Sequence, residues 1–267
     1  MGLGEIKMVE LNYYVYNLNL RIKSMQQFKG VLLLALLFIM PLCSSAKFPG
    51  ILQRYQLGYT FVMNSAEYEA KNRVTLLNID TSFKRDMKTS AAFGVTMGTY
   101  VPLKRLGQSS MLVLGIDYMY NIMTWESKVP GLLGDVGFSG ATAQMALPIG
   151  LDFKFGADAL NVKNRRFCAT LGAGVYPSYA ITTLDYDFDI DPNFSVAPYV
   201  KAEAGIFAGI CMKVRAIASF GKFTYMDYKS ADGNSSSTMI GNTNFAISLL
   251  VMPFSFTWKE EEWWKTS

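Results

Sequence analysis

Residues 112–121 of this 267-residue chain read Leu-Val-Leu-Gly-Ile-Asp-Tyr-Met-Tyr-Asn, and their side chains alternate in character. The even-numbered positions hold Leu112, Leu114, Ile116, Tyr118 and Tyr120. The odd-numbered positions hold Val113, Gly115, Asp117, Met119 and Asn121. Successive side chains of a β-strand point to opposite faces. The period of two therefore predicts a strand with one bulky apolar face and one face rich in small and polar residues.

The same alternation recurs in eight windows of the chain. They lie at 54–64, 90–102, 109–123, 139–156, 166–178, 195–206, 210–226 and 239–258. Long and short connections alternate between them, so an up-and-down arrangement gathers the long loops at one end and the short turns at the other. The pattern predicts an all-β fold, an eight-stranded antiparallel up-and-down β-barrel.

Two parts of the chain fit this pattern less simply. Residues 65–89 would either continue as a hairpin beyond the barrel or supply two more strands, which leaves a ten-stranded barrel as the alternative. In the last window, a bulge at Pro253 would carry Phe254, Phe256 and Trp258 onto the apolar face.

The composition of the two faces indicates which one points outward. The interior of an eight-stranded barrel is narrow, so it suits small and paired polar side chains better than many Phe, Leu and Met. Bulky apolar residues on the outside of a closed barrel require lipid, and closure pairs every backbone group in a medium without water. The chain is therefore expected to be a transmembrane barrel, although a soluble secreted barrel or sandwich that binds lipid would show the same alternation. Aromatic residues near the strand ends are expected to form interfacial girdles: Tyr55, Trp125, Phe153, Phe155, Phe223, Tyr225 and Trp258.

The N-terminal region has the layout of an export signal. The apolar run Gly30–Met40 is too short to span a membrane as a helix, for which about 20 residues are needed. It follows a short basic segment that begins at Met25, the expected true start, and it precedes small residues at Ser44 and Ala46. We expect residues 1–46 to be an upstream extension and cleaved signal peptide, residues 47–258 the barrel, and residues 259–267 a periplasmic tail.

Three stretches carry a resemblance to a known family. Gln56-Leu-Gly-Tyr-Thr-Phe61, Met145-Ala-Leu-Pro-Ile-Gly-Leu-Asp-Phe-Lys154 and Leu171-Gly-Ala-Gly-Val-Tyr-Pro-Ser-Tyr179 are similar to strands of the outer-membrane β-barrel family common in Bacteroidetes. Together with the export signal, they make the chain resemble small outer-membrane β-barrels of Gram-negative bacteria. The resemblance implies an outer-membrane location. One departure is that such barrels usually end on an aromatic residue, whereas here residues 259–267 follow Trp258.

Seven charged residues are predicted to face the interior of the barrel. They are Asp117, Asp152, Lys154, Lys201, Glu203, Lys213 and Arg215. If 207–209 form the turn of the hairpin, Glu203 faces Lys213 and Lys201 faces Arg215. Buried charges need partners, so this network would plug and rigidify the barrel. The alternative is an ion or solute path.

Catalysis and cofactor binding find little support in the sequence. The chain has no His, which excludes mechanisms that use an imidazole, and it has no phosphate-binding loop and no nucleophilic Ser elbow. We therefore expect a non-enzymatic protein without a cofactor. A weak metal candidate is the run Asp185, Asp187, Asp189 and Asp191, whose carboxylates would share one face of an extended loop. A solvated acidic loop is the simpler interpretation.

The expected partners are the lipid bilayer of the outer membrane and an unidentified surface partner. With a net charge of +4 and no basic patch, the chain is not expected to bind nucleic acid. Loops carry function on rigid scaffolds, so surface binding, adhesion or envelope integrity would depend on residues 65–89, 124–138, 179–194 and 227–238. A small-solute or ion channel is the alternative.

Overall fold

The computed structural model describes residues 49–74, 79–129, 136–161, 163, 165–184, 192–230 and 234–258. Its β-segments are β1 Gln56–Val74, β2 Ile79–Arg105, β3 Ser110–Val129, β4 Val136–Ala146, β5 Ile149–Gly156, β6 Phe167–Leu184, β7 Asn193–Ala208, β8 Ile210–Lys229 and β9 Ser235–Met252. Two one-turn helices, α1 (Pro49–Leu52) and α2 (Ala157–Leu160), and a 3-10 turn at Ser255–Thr257 accompany them. No helix among these residues has the length and apolar character needed to cross a membrane.

The sheet closes on itself into a ring of antiparallel strands. β1 pairs with β2 and β9, and the order continues through β8, β7 and β6 to β4, β5 and β3, which returns to β2. Because β4 and β5 lie end to end between β3 and β6, on either side of Leu147 and Pro148, they form one strand of an eight-stranded ring. The predicted eight-stranded barrel is confirmed. The ten-stranded alternative is wrong, since residues 65–74 and 79–88 pair with each other as a continuation of β1 and β2.

The outer surface of the barrel carries a continuous apolar band. On β2 the outward side chains of the band run from Phe93 to Leu103, which are 58% and 51% exposed. Ten residues at about 3.3 Å each, tilted by about 40°, cover about 25 Å, the height of the lipid-facing band of a membrane barrel. The other strands continue the band with exposed Tyr59, Leu151, Leu171, Val200, Val214 and Leu249.

The interior is filled at both ends by buried apolar side chains. Toward the long loops lies a set that we call the cap cluster: Met119, Met123, Trp125, Tyr176, Tyr199, Phe223, Tyr225, Met226 and Met239. Near the short turns lies the lower cluster: Tyr100, Val113, Cys168, Cys211, Met252 and Trp258. Charged residues occupy the level between the two clusters.

Part of the predicted aromatic girdle lies inside the barrel instead. Trp125, Phe223 and Tyr225 are at most 1% exposed. In β8 the pairing with β9 shifts between Phe220 and Phe223, next to Gly221 with its φ of 137°. The inward face nevertheless stays in phase, since Arg215 and Ser219 before the shift and Phe223 and Tyr225 after it are all odd-numbered and buried. Trp125 likewise follows Met119 and Met123 on the inner face of β3. The girdle assignment was wrong because it followed position near the strand ends rather than the face that the alternation gives.

The C-terminal end of the barrel also differs from the prediction. β9 ends at Met252, and the chain then turns through the 3-10 helix rather than continuing as a strand. Trp258 folds back, stacks on Phe207 with ring centroids 5.5 Å apart, and donates a hydrogen bond from Nε1 to the carbonyl of Gln53 (3.0 Å). A strand through 258 was therefore wrong, because Pro253 cannot donate to a ladder and ends the strand here.

Candidate functional site

Four cations and four acids meet inside the barrel, between the cap cluster and the lower cluster. This ion network consists of Lys154, Lys201, Lys213, Arg215, Asp117, Asp152, Asp158 and Glu203, each at most 5% exposed. Seven of its members are the residues that the alternation placed on the inner face. The formal charges of the eight groups cancel.

The hairpin of β7 and β8 sets the register of the network. Glu203 lies opposite Arg215 rather than opposite Lys213, because the turn centres on Gly209 (φ 83°), one position later than the predicted centre of 207–209. The partner of each residue thereby moves by two positions. A shift of two keeps every side chain on its own face, so the inward orientation survives the error in register.

Glu203 is the acid with the most cationic neighbours. Its carboxylate oxygens lie 2.6 Å from Arg215, 3.3 Å from Lys213 and 3.8 Å from Lys154. Arg215 also reaches Asp117, with Nη1 to Oδ1 at 2.9 Å, and so connects two acids.

Lys201 connects two further acids. It lies opposite Ile217, so the predicted pairing with Arg215 is wrong. Its ammonium group lies 3.1 Å from Asp117 and 2.7 Å from Asp152. Removal of water from a buried ion is expensive, and these short contacts supply the compensating attraction.

The eighth member, Asp158, comes from α2, just beyond the end of β5. Its carboxylate accepts hydrogen bonds from Lys154, from Lys213 (2.6 Å) and from the hydroxyl of Tyr100 (2.9 Å). Burial alone would raise the pKa of this carboxyl group, but the two ammonium groups outweigh it and lower the pKa to about 2. The acid is therefore ionised at neutral pH.

Sequence reasoning missed Asp158 for a physical reason. The period of two assigns faces only within a strand, and α2 is a four-residue helix in a connection. A weak signal was present, since the seven inward-facing residues include four cations and only three acids. A buried network of that composition needs one more acid.

Glycines on adjacent strands make room for the charged side chains. Gly98 pairs with Asp117, and a Cβ added at Gly98 would collide with Oδ1 of that residue. Gly172 lies between Asp152 and Lys201, and a Cβ there would collide with Oδ1 of Asp152. The small residues of the inner face thus leave the space that the large charged side chains occupy in a narrow interior.

The cap cluster closes the interior above the ion network. Trp125 packs against Tyr225 with ring centroids 5.0 Å apart and donates from Nε1 to Thr142 (2.8 Å). Tyr176 meets Phe223 edge to face at 6.1 Å. Aromatic contacts and satisfied polar atoms fix these large side chains in place. These contacts fill the interior of the barrel at this level with side chains.

Beyond the band, β1 and β2 project as a paired extension that we call the surface hairpin (residues 65–74 and 79–88). Its exposed face carries Lys84 at 3.1 Å from Glu67 and 3.7 Å from Glu69. A hydrogen bond from Lys71 lowers the pKa of Glu69. The other long connections are partly strand: β3 extends to Val129 and β6 to Leu184.

The weak metal candidates cannot be placed on this framework. Asp185, Asp187, Asp189 and Asp191 lie outside the described residues. Within the described ranges there is no group of three or more His, Cys, Asp or Glu that would hold a metal ion.

No family model and no curated protein matches the chain. Among solved structures, the outer membrane protein OprG from Pseudomonas aeruginosa is similar over 74% of this chain and 97% of its own, with 12% identity and a TM-score of 0.39. The attachment invasion locus protein Ail of Yersinia pestis, in complex with the heparin analogue sucrose octasulfate, is similar over 73% and 99%, with 6% identity and a TM-score of 0.28. Neisserial surface protein A is similar over 74% and 96%, with 11% identity and a TM-score of 0.25. At these distances no residue role is transferred from any of them.

Proposed function

We propose that this chain is an integral outer-membrane β-barrel with a filled interior and no enzymatic activity. It would act at the cell surface, in binding or in envelope integrity, through the surface hairpin and the neighbouring loops. The observation that carries the proposal is that apolar side chains lie on the outside of the barrel and charged side chains on the inside, the reverse of a protein that folds in water. Val214 is 51% exposed on the outer face, whereas its neighbour Arg215 is fully buried inside.

The size of the apolar surface favours a lipid environment over water. Thirty-four large apolar side chains of the described residues are exposed. A fully buried Val, Leu, Ile or Phe gains about 1.5–3 kcal/mol, so half-exposure of this many forfeits on the order of 30 kcal/mol. A folded domain has a net stability of only about 5–15 kcal/mol. A bilayer removes this cost, which makes the secreted lipid-binding alternative the weaker one.

Delivery to the outer membrane rests on the expected export signal. Residues 1–46 would be removed after Ala46, the barrel would follow from Lys47, and residues 259–267 would remain as a periplasmic tail. These residues lie largely outside the described structure, so the division of the chain stays a proposal. N-terminal sequencing of the protein isolated from membranes tests it, and a sequence that begins well upstream of Lys47 would contradict it.

The filled interior supports a structural or surface-binding role more than a channel. The ion network and the cap cluster lie in series along the barrel, and each is closed by direct contacts between side chains. The absence of His supports the non-enzymatic assignment, since outer-membrane barrel enzymes resemble one another in the use of a His beside Ser or Asp.

The decisive experiment is fractionation followed by electrophoresis without boiling. The full chain, expressed in a Gram-negative host, should sediment with the outer membrane, resist carbonate extraction and migrate differently on SDS gels before and after heating. Replacement of the mid-band Leu249 by Lys should abolish the folded form. Thr238→Lys on the same strand above the band should leave it intact, because position 238 lies between Glu69 and Asp227. Release of the wild-type chain without detergent would overturn the proposal.

A further inference from the structure

The two ends of the barrel differ in the sign of their accessible charges. At the end with the short turns, the described residues beyond the apolar band include the cations Arg54, Lys104, Arg105, Lys163, Arg165 and Arg166. The acid described there is Asp158, which is buried against Lys154 and Lys213. At the opposite end, cations and acids alternate along the surface hairpin.

Five of these cations lie on one side of the barrel. The turn between β2 and β3 and the connection between β5 and β6 are neighbours, since the amide of Gly156 donates to the carbonyl of Ser109 (2.8 Å). Arg165 reaches across to donate to the hydroxyl of Ser109. We call the resulting set the basic rim: Lys104, Arg105, Lys163, Arg165 and Arg166.

The basic rim borders the lower edge of the apolar band. Leu103 and Leu106 flank Lys104 and Arg105 and are 51% and 49% exposed. Phe167, which follows Arg166, is 72% exposed. The surface therefore presents cations directly beside apolar side chains, at the depth where lipid headgroups meet acyl chains. A molecule that satisfies both parts carries a negative headgroup on hydrocarbon chains.

We propose that the basic rim binds the headgroup of an anionic phospholipid of the periplasmic leaflet, with the acyl chains lying along Leu103, Leu106 and Phe167. The inference rests on the proposed insertion in the membrane. Each Lys or Arg at an anionic lipid surface strengthens binding about fivefold, so several together select strongly for a charged headgroup. The backbone of Arg166 is held in the fold, since its carbonyl accepts from the amide of Phe207 (2.7 Å), which limits the ordering needed on binding.

The competing occupant is the chain's own C-terminal tail. Trp258 is buried at this end of the barrel, and the sequence that follows it, residues 259–267, includes Glu260, Glu261 and Glu262. The tail also carries Trp263 and Trp264, so it offers an acidic and an apolar part, and truncation behind Trp258 is the experiment that separates the two occupants.

The test is native mass spectrometry of the full chain in nonionic detergent, after its shift in mobility on heating has shown that the barrel is folded. The protein is titrated separately with dioleoylphosphatidylglycerol and dioleoylphosphatidylcholine. Wild type should retain the anionic lipid at least tenfold better. The triple variant Lys104→Gln, Arg105→Gln, Arg166→Gln should lose this preference, and the matched control Lys71→Gln, Lys84→Gln, Lys88→Gln at the other end should keep it. Inorganic phosphate at the same concentration should not compete, which separates a lipid site from a phosphate site.

A second measurement needs only the wild type and therefore tests the inference even if the triple variant does not fold. Binding of phosphatidylglycerol to wild type should fall to the level of phosphatidylcholine in 0.5 M NaCl, because exposed charges are screened at that ionic strength. Equal retention of the two lipids by a folded wild-type barrel overturns the inference and leaves the proposed function intact. The inference is overturned in the same way if the two triple variants behave alike, or if binding emerges only after truncation behind Trp258. Failure of the wild type to fold into lipid or detergent counts against the proposed function instead.

Discussion

At the scale of single residues, the interior is built from pairs of one large ion and one glycine. Gly172 occupies a position where any side chain would meet the carboxylate of Asp152, which is held by Lys201 at 2.7 Å. The carboxylate cannot move aside without loss of that ion pair. The glycines thus leave room for the charged side chains and also allow them to keep their ion pairs.

Replacement of Gly172 by Val should destabilise the barrel far more than the same change at its neighbour. The new side chain would displace Asp152 and break a buried ion pair, at a cost of about 3 kcal/mol, or roughly 6–12 °C in the temperature at which heat-modifiable mobility is lost. Ala173→Val, on the exposed outer face, is the matched control and should change that temperature by less than about 2 °C. Equal shifts in the two variants would show that Asp152 tolerates displacement.

The charge balance of the network predicts non-additive substitutions. Glu203→Gln leaves Lys213 and Arg215 with one acid fewer, and Lys213→Met leaves Glu203 and Asp158 with one cation fewer, so each should cost about 3 kcal/mol. The double variant keeps three cations and three acids, and we expect it to be about 2 kcal/mol more stable than the sum of the single effects. Unfolding of each variant in urea with lipid vesicles measures the cycle. Strict additivity would contradict a coupled network.

At the scale of strands, alternation predicts faces reliably where the ladder is regular. β3 and the lower half of β7 carry the expected residues inward, including Asp117, Lys201 and Glu203. The alternation also gives the right face for Phe223, which is buried on the odd-numbered face of β8 with Lys213 and Arg215. The girdle prediction for Phe223 failed because it rested on position near the strand end and not on the alternation. The predicted register of the hairpin of β7 and β8 was also wrong. A turn centred on residue 208 and one centred on residue 209 place the same side chains inward, so the alternation cannot distinguish between them.

One strand pair is joined more weakly than the rest of the ring. Within residues 192–230, the ladder between β7 and β8 ends at Tyr199 and Ser219. Above it, side chains of β7 provide the links: the amide of Thr224 donates to the hydroxyl of Ser195 (2.9 Å), and Nδ2 of Asn193 donates to the carbonyl of Tyr225 (3.5 Å). Thr182 of β6 also donates to that carbonyl (2.7 Å). Segments with fewer ladder hydrogen bonds open at lower free energy.

Hydrogen exchange should locate this seam. In detergent micelles, amides of residues 221–226 in β8 should exchange at least tenfold faster than amides of residues 211–218 in the same strand, which are laddered on both sides. Peptide-level mass spectrometry compares the two segments in a single sample. Equal protection would show that the side-chain links close the ring as tightly as a ladder does.

At the scale of the whole molecule, the distribution of polar and apolar side chains between the two faces explains both the closed barrel and the side chains that fill its interior. The outer band is exposed on the described strands, while the inner face is narrow and places glycines beside the ions. The largest apolar side chains enter the interior above and below the ion network, where Trp125 and Trp258 are buried. Smaller ones lie at the level of the network, since Val113, Ile217 and Leu250 pair with Asp152, Lys201 and Lys213.

Neither closure of the interior, at Trp125 or at Trp258, was predicted, for two different reasons. Regular alternation places Trp125 on the inner face of β3 with Met119 and Met123, but its position near the strand end led to its assignment to the girdle. Trp258 enters the interior because the chain turns after Met252, which the alternation does not show.

The serial closures predict a barrel without ionic conductance. An ion that crosses would have to displace the cap cluster and then separate pairs such as Arg215 and Glu203, whose atoms approach to 2.6 Å. Separation of a buried ion pair costs about 3–5 kcal/mol before any other contact is lost. In planar bilayers with 1 M KCl, wild type should therefore show no unitary steps, while a known porin in the same bilayers does. The variant Arg215→Gln should also be silent, because Trp125 and Tyr225 still close the interior above it. Steps in the wild type whose size changes in this variant would establish a path through the network and would favour the channel function over surface binding.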